Sequence, residues 1–412
     1  MDPNEEGYVF INANNRKEYE CCNRSTQMKV LIAPLEGKLS ETESGFRAFE
    51  YELISKLTEE GIECYVTAIN PPKENMKNIY PIRIKNFSAL ELYRVSKGLL
   101  HDDKVDIIHH FRFLPHSFNL LAIFHDLDKP FICGPAQVPH VVYPDTYTRG
   151  KKISKPLINI GFELLKRLKT ISTPAINLLM KKTLDKCETL IVVNEDAKRY
   201  YSKFVDTDKI VVIPLGVNLT KFGYSIPPNN QEIVTAGSLI KRKGFDYLIK
   251  AMETVVKDFP NARLHIFGEG PRRKYLERLV AKMYLNNNVM FHGRMERDAF
   301  IKQIKNFRIF VHPSLSESFS PIRIEMLAAG RPGVYTEISG SKEMIENGKN
   351  GYLVPTRDPD SLAERITELL EDYDLALRMG RKARETAEKK YDIDKIARKY
   401  LNLYERLYGN IS

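Results

Sequence analysis

The sequence predicts an α/β protein made of two doubly wound domains, each a parallel sheet flanked by helices. Three observations carry that prediction. Short apolar runs alternate with longer segments of helical period along most of the chain, the pattern that places helices on the faces of a parallel sheet. The chain has 412 residues, enough for about two domains that each bury a core. The alternation also halts at Pro214-Leu-Gly-Val-Asn218 and a polar stretch through Asn230, then restarts. Pro, Gly and Asn punctuate a chain in this way where one unit ends.

Taken in order, residues 1–27 carry charges and no apolar core, so they read as a polar extension and not as a signal peptide. Residues 28–218 form the first predicted domain. Its strands are expected at Val30–Ala33, Cys64–Ala68, Val105–His109, Phe131–Cys133, Thr189–Val193 and Ile210–Ile213. Helical patterns at Phe46–Glu60 and Ala89–Leu100 lie between them. Residues 219–391 form the second domain. Strands are expected there at Glu232–Ala236, Arg263–Phe267, Val289–Phe291 and Ile309–His312. Its helices are expected at Phe245–Asp258, Arg272–Met283, Asp298–Lys305, Ile322–Ala329, Ser361–Leu370 and Ala376–Lys389. A last helix, about Ile393–Tyr408, occupies a C-terminal segment, 392–412.

Composition narrows the function. Hydrophobic residues at 43% and charged residues at 28% suit a globular protein in water. No apolar run approaches the length of a transmembrane helix, so a cytoplasmic location is expected. The five cysteines are scattered without metal-ligand spacing and read as reduced thiols. A net charge of +10 favours an anionic partner: a phosphorylated ligand, an acidic membrane surface or nucleic acid. The basic residues are not interleaved with a stacking motif, which argues against nucleic acid.

Doubly wound sheets bind ligands in the crevice at the carboxyl ends of their strands. The most informative loop there is Ser316-Glu-Ser-Phe-Ser-Pro-Ile-Arg-Ile-Glu325. Ser320 suits an N-cap and Pro321 a first helical position. The helix therefore aims its N–H groups and positive dipole end at the crevice, which favours a phosphate. Glu317 precedes the cap, free to reach a sugar hydroxyl; Glu325 lies about a turn into the helix, placed for a second pair of hydroxyls. Gly237-Ser-Leu-Ile-Lys-Arg-Lys-Gly244 follows the domain's first strand and reads as a diphosphate clamp. In it Lys243 is a point charge and Arg242 a fork. Gly268-Glu-Gly-Pro271 and Gly293-Arg-Met295 end the next two strands.

This ordered set, with Pro313-Ser314, Ala328-Ala-Gly-x-Pro332 and Asn347-Gly-Lys-Asn-Gly-Tyr-Leu-Val-Pro355, closely resembles glycosyltransferase family 4, of the GT-B fold. The resemblance covers nearly all of residues 210–408; the first half is similar in layout and looser in motif. It implies two Rossmann-like domains facing a central cleft, acceptor in the first and nucleotide-sugar donor in the second. The last helix would cross back onto the first domain. Glu317 and Glu325 would be the family's paired glutamates, holding the donor sugar and the ribose. Lys243 would bind the diphosphate, helped by N–H groups around Ser318, Phe319, Ser320 and Pro321. Gly237 and Gly268 would shape the donor site, and the backbone at Arg294 and Met295 would meet the base. Two departures stand out: Ser238 replaces the usual Arg, and Ser320 the usual Gly.

The first-half site is less explicit. The family's Gly-Gly loop is represented by Gly45 alone, before Phe46. His140 is the nearest candidate for the family's first-domain catalytic His, at an altered spacing, and Gln137 is its substitute. His109 and His110 end a strand, where they either line the crevice or cap the sheet. The expected activity is retaining transfer of a hexose-type sugar from a nucleotide-diphosphate sugar. Lys243, Arg242 and the helix start at Ser320 would themselves neutralise the diphosphate, so no metal and no separate cofactor are expected. The other reading is a non-catalytic sugar-nucleotide-binding subunit of the same fold.

One more feature concerns the acceptor. From Arg149 to Lys186 there are ten Lys and Arg against Glu163 and Asp185, a net +8. Leu157, Ile160, Leu164, Leu168 and Ile171 recur at helical spacing. The segment reads as a basic amphipathic helix broken near Pro174, laid on an anionic bilayer, on its own sheet, or on both. A glycan or lipid-linked acceptor at the inner face of a membrane follows as the expectation.

Overall fold

The structure, a computed structural model, describes residues 28–33, 45–68, 77–83, 89–101, 104–111, 127–138 and 178–409. Two all-parallel sheets organise it. The first contains β1 (Lys29–Ala33), β2 (Glu63–Ala68), β3 (Ile79–Arg83), β4 (Ile107–Phe111), β5 (Phe131–Ala136), β6 (Thr189–Val192) and β7 (Ile210–Val212), in the order β3-β2-β1-β4-β5-β6-β7. The second contains β8 (Glu232–Ala236), β9 (Arg263–Phe267), β10 (Val289–Gly293), β11 (Ile309–His312), β12 (Gly333–Thr336) and β13 (Tyr352–Val354), in the order β10-β9-β8-β11-β12-β13. The order reverses between β1 and β4 and again between β8 and β11. These are the switch points at which doubly wound sheets open a crevice. Central strands such as β4, β5, β6 and β11 are buried along their whole length, as strands covered on both faces must be.

Helices fill the connections: α1 (Phe46–Glu59), α2 (Ala89–His101) and α3 (Glu195–Tyr201) in the first half. The second half has α4 (Phe245–Asp258), α5 (Arg273–Lys282), α6 (Arg297–Ile304), α7 (Pro321–Ala328), α8 (Ser341–Met344), α9 (Pro359–Glu371) and α10 (Tyr373–Lys390). α11 (Ile393–Gly409) completes the chain. It buries Ile393, Ile396, Ala397, Tyr400, Leu403, Tyr404 and Leu407, one stripe at helical spacing, and packs against α1. Its Tyr404 hydroxyl lies 2.7 Å from His109 Nδ1. The other ring nitrogen, Nε2, donates to the Gly134 carbonyl at 2.9 Å. Burial lowers the His109 pKa to about 3, so a neutral imidazole joins β4, β5 and α11.

The chain passes between the two sheets twice, side by side. Val217 N–H donates to the Tyr391 carbonyl at 2.7 Å, and Ile393 N–H to the Val217 carbonyl at 3.1 Å. Gly216 makes the close approach possible: a Cβ there would stand 2.8 Å from Ile393 Cδ1.

The structure differs from the sequence reading in a few elements. β4 begins two residues later than Val105, because the His109–His110 pair lies inside the strand. β3, β12 and β13 were not foreseen. They are short and lie toward the sheet edges, and Pro81 interrupts the pattern of β3, as edge strands tolerate. α3 and α8 are too short to show a period. The basic segment mostly lies outside the described residues. Residues 178–185 are helical, with Met180 and Leu184 in the first-domain core and Lys181 and Lys182 facing outward.

Candidate active site

The glycine-rich loop after β8 ends in a single tight turn, Lys241–Lys243, stopped by Gly244 at φ 66°. A side chain at Gly244 would put Cβ 2.0 Å from the Pro313 carbonyl oxygen, so only Gly lets this turn dock on the loop after β11. The docking is then fixed by Leu315 N–H donating to the Arg242 carbonyl at 2.8 Å. Two cations are thereby carried onto one carboxylate. Arg242 Nη1 is 3.0 Å from Glu317 Oε1, and Lys243 Nζ pairs with the same oxygen. Ser314 Oγ donates to it at 3.1 Å. Gly237 adopts φ 154°, a conformation L side chains rarely take, and lies in contact distance of the Lys243 stem. Gly268 abuts Gly237 much more closely, since a Cβ on it would stand 1.9 Å from the Gly237 carbonyl oxygen.

The electrostatics follow from that geometry. Burial pushes the Glu317 carboxyl up, but the Lys243 and Arg242 charges outweigh it and hold the group well below the usual carboxylate range. Burial lowers the Lys243 pKa; the Glu317 charge opposes that shift and Arg242 adds to it. His312, at the end of β11, is pushed far below its ordinary value by burial and by the cations around it. Both its ring nitrogens are buried without a hydrogen-bond partner. Arg323 is buried on α7, its Nη2 donating to Ser341 Oγ at 3.1 Å.

α7 starts at Pro321 with Ser320 as the extended N-cap residue, as the sequence indicates, although the Ser320 hydroxyl makes no capping bond. Phe319 is buried against Tyr391. Ser318 is gripped from the other domain: Val138 N–H donates to its Oγ and Asn194 Nδ2 to its carbonyl, both at 2.9 Å. Glu325 lies farther along α7, apart from the Glu317 cluster, and faces Arg297 Nη2 at 3.8 Å. Burial raises its pKa, and the Arg297 charge offsets part of that rise.

The remaining sequence candidates are placed as follows. Gly45, at φ 66°, is the N-cap of α1, and a Cβ there would meet nothing within 4 Å. Arg294 is exposed and Met295 half-buried at the end of β10. His140 lies outside the described residues. Ser238 is exposed, and its loop carries its cations at 241–243 instead. His110 is buried in β4, inside the sheet. Sequence reasoning missed Ser314, His312, Arg323, Asn194 and Arg297. Arg297 was the most findable, since it continues the apolar stripe Phe300, Ile301, Ile304, where a charge demands a reason.

The family model described as glycosyl transferases group 1 matches residues 218–386, and that of glycosyltransferase family 4 matches residues 45–221. The chain belongs to these glycosyltransferases. It is 30% identical over 239 residues to an uncharacterised glycosyltransferase of Methanocaldococcus jannaschii, covering 54% of this chain and 61% of that one. A longer match, 24% over 368 residues, joins it to the N-acetyl-alpha-D-glucosaminyl L-malate synthase of Bacillus anthracis, covering 86% of this chain and 91% of the relative. Among solved structures, sucrose-phosphate synthase from Thermosynechococcus elongatus superposes with a TM-score of 0.69 at 19% identity, over 93% of this chain and all of that one. The Anabaena protein HepE, solved with UDP-glucose, superposes with a TM-score of 0.64 at 15% identity, over 92% of this chain and 99% of that one. The glycosyltransferase therefore has the GT-B fold.

Proposed function

We propose that this glycosyltransferase moves a hexose-type sugar from a nucleotide-diphosphate sugar to an acceptor, with retention of configuration and without a metal ion or other cofactor. The observation that carries the reading is the cluster of Glu317, Lys243 and Arg242 beside the start of α7. Breaking the sugar–diphosphate bond leaves negative charge on the diphosphate and positive charge on the sugar, so preorganised cations and N–H dipoles are the main requirement. Lys243, Arg242 and the α7 N-terminus suit the diphosphate; Glu317 suits the sugar hydroxyls. An arriving diphosphate competes with Glu317 for both cations and so frees the carboxylate for the sugar. Glu325 is assigned to the ribose and the loop at Arg294–Met295 to the base. Lys243, Arg242 and the α7 N-terminus supply the charge that a metal ion would.

The test offers UDP-, GDP- and ADP-hexoses to the full chain with lipid-linked and soluble glycan acceptors in excess EDTA. Product is read by mass and its anomeric configuration by NMR. Transfer with the donor's configuration kept is expected. A strict, saturable Mg²⁺ or Mn²⁺ requirement, or an inverted product, overturns the reading. Exposed Ser238, where the family has Arg, favours one other reading, a binding subunit. That reading gains if nucleotide binding saturates with neither transfer nor donor hydrolysis.

A further inference from the structure

Arg297, on α6, is only 8% exposed, and its Nε and Nη1 have no hydrogen-bond partner. A buried guanidinium with idle donors is costly, so its surroundings matter. Nη2 lies 3.8 Å from Glu325 Oε1 on α7, and Nη1 lies 3.8 Å from Glu52 Oε1 on α1, in the other domain. Both separations suit ion pairs and exceed hydrogen bonds. Glu52 is itself anchored: Lys221 Nζ reaches the same oxygen at 2.8 Å, and Asn218 Nδ2 donates to the other at 2.9 Å. The Phe222 ring lies under the guanidinium, 5.5 Å from its carbon.

We propose that Arg297 is a positioning residue for the nucleoside site: the one cation shared by Glu325 and Glu52, it aims Glu325 while tied to the first domain. The proposal rests on the assignment of Glu325 to the ribose. Ribose hydroxyls donate to Glu325, so the carboxyl must be ionised to serve them well. Burial opposes ionisation there, and the Arg297 charge is what offsets it. Among the described charged groups, Arg297 is the one that faces Glu325 from α6. Arg384, on α10 packed against α7, turns instead to the Phe222 and Ala328 carbonyls, both at 2.8 Å, and to Glu388. The shared placement makes two opposite effects follow. Without Arg297, Glu325 ionises less readily and nucleotide binding fails at higher pH. Without Glu52, Arg297 serves Glu325 alone and the failure moves to lower pH.

The test is calorimetry of the full chain with UDP, ADP and GDP in turn, the tightest being followed from pH 8 to pH 5. Arg297→Met should weaken binding by roughly tenfold at the acid end. It should leave binding within about twofold of wild type at pH 8. Arg297→Lys should recover most of the loss, and Glu52→Gln should move the acid limb the other way. A loss in Arg297→Met that is equal at all pH, or an unmoved limb, overturns the proposal. So does a limb that moves up in Glu52→Gln. Glu325→Gln separates this from the assignment beneath it: binding as in wild type, or no binding of any of the three nucleotides to wild type, removes the ribose reading itself.

Discussion

At the level of single residues, Glu317 shows how burial and charge decide one another. A lone buried carboxylate would be neutral; with Lys243, Arg242 and Ser314 on one oxygen it stays charged. Glu317→Gln keeps the shape and removes the charge, and Lys243→Ala removes the closer cation. Each should slow transfer by about 2–4 kcal/mol of barrier, the cost of losing one charge-assisted contact to developing charge. Wild-type rates in both variants would sink the assignment. Glu317→Ala should also destabilise the fold, because two partly buried cations lose their anion. The sign of the pH effect is fixed by the same pairing. The folded-state pKa of Glu317 lies below its unfolded value, so its stabilisation is complete above the ordinary carboxylate range and fades as pH falls below it. Acid unfolding of Glu317→Gln should lack that component, as melting curves taken from pH 6 down to pH 3 will show.

At the level of elements, the first domain holds the α7 loop through α3. Asn194 caps α3, its Oδ1 accepting from Ala197 N–H at 2.8 Å, while its Nδ2 reaches the Ser318 carbonyl. Gly340 admits that amide, since a Cβ there would be 2.6 Å from Asn194 Nδ2. Two further ties run alongside: Gly340 N–H donates to Asp196 Oδ2 at 2.8 Å, and Glu195 N–H to the Glu343 carboxylate at 3.0 Å. Asn194→Asp keeps the cap acceptor and sets a carboxylate oxygen against the Ser318 carbonyl. Transfer should fall roughly tenfold, about 1.4 kcal/mol, and the melting temperature should fall as well, because the new carboxylate is buried against an acceptor. Asn194→Ala, which loses cap and contact without adding a charge, should also lower both. Unchanged transfer in Asn194→Asp would show the contact to be incidental. None of this was legible beforehand. Long periodic elements such as α4 and α11, and strands bounded by Gly such as β8 and β9, announce themselves because local pattern and burial agree. The Lys243 and Glu317 loops could be read from residue type and order. That Glu317 is already engaged by both cations, that Glu325 stands apart with Arg297, and that Asn194 does two jobs are facts of docking between distant segments. No window of sequence contains them.

At the level of the whole molecule, charge is unevenly placed: the net +8 between Arg149 and Lys186 is most of the chain's +10. No helix among the described residues is long and apolar enough to cross a membrane, and the basic stretch is the feature that suits an anionic surface. Flotation with anionic vesicles should recover the protein, and high salt or neutralising Lys151, Lys152, Lys166 and Arg167 should abolish recovery. Equal failure with anionic and neutral vesicles would favour a soluble acceptor. The paired crossing at Val217 and Asp392 bears on how the molecule can be taken apart. Because α11 returns to cover α1, the second half is topologically a guest, nested within a host whose chain resumes after it. Its entry and exit lie one hydrogen bond apart. A chimera that exchanges second halves therefore needs two cuts, near 217 and near 392, and the transplanted piece must bring its ends together. A single cut near 218 strands α11 on the wrong partner and leaves the apolar side of α1 bare, so half-molecules made that way should aggregate while double-cut exchanges remain soluble.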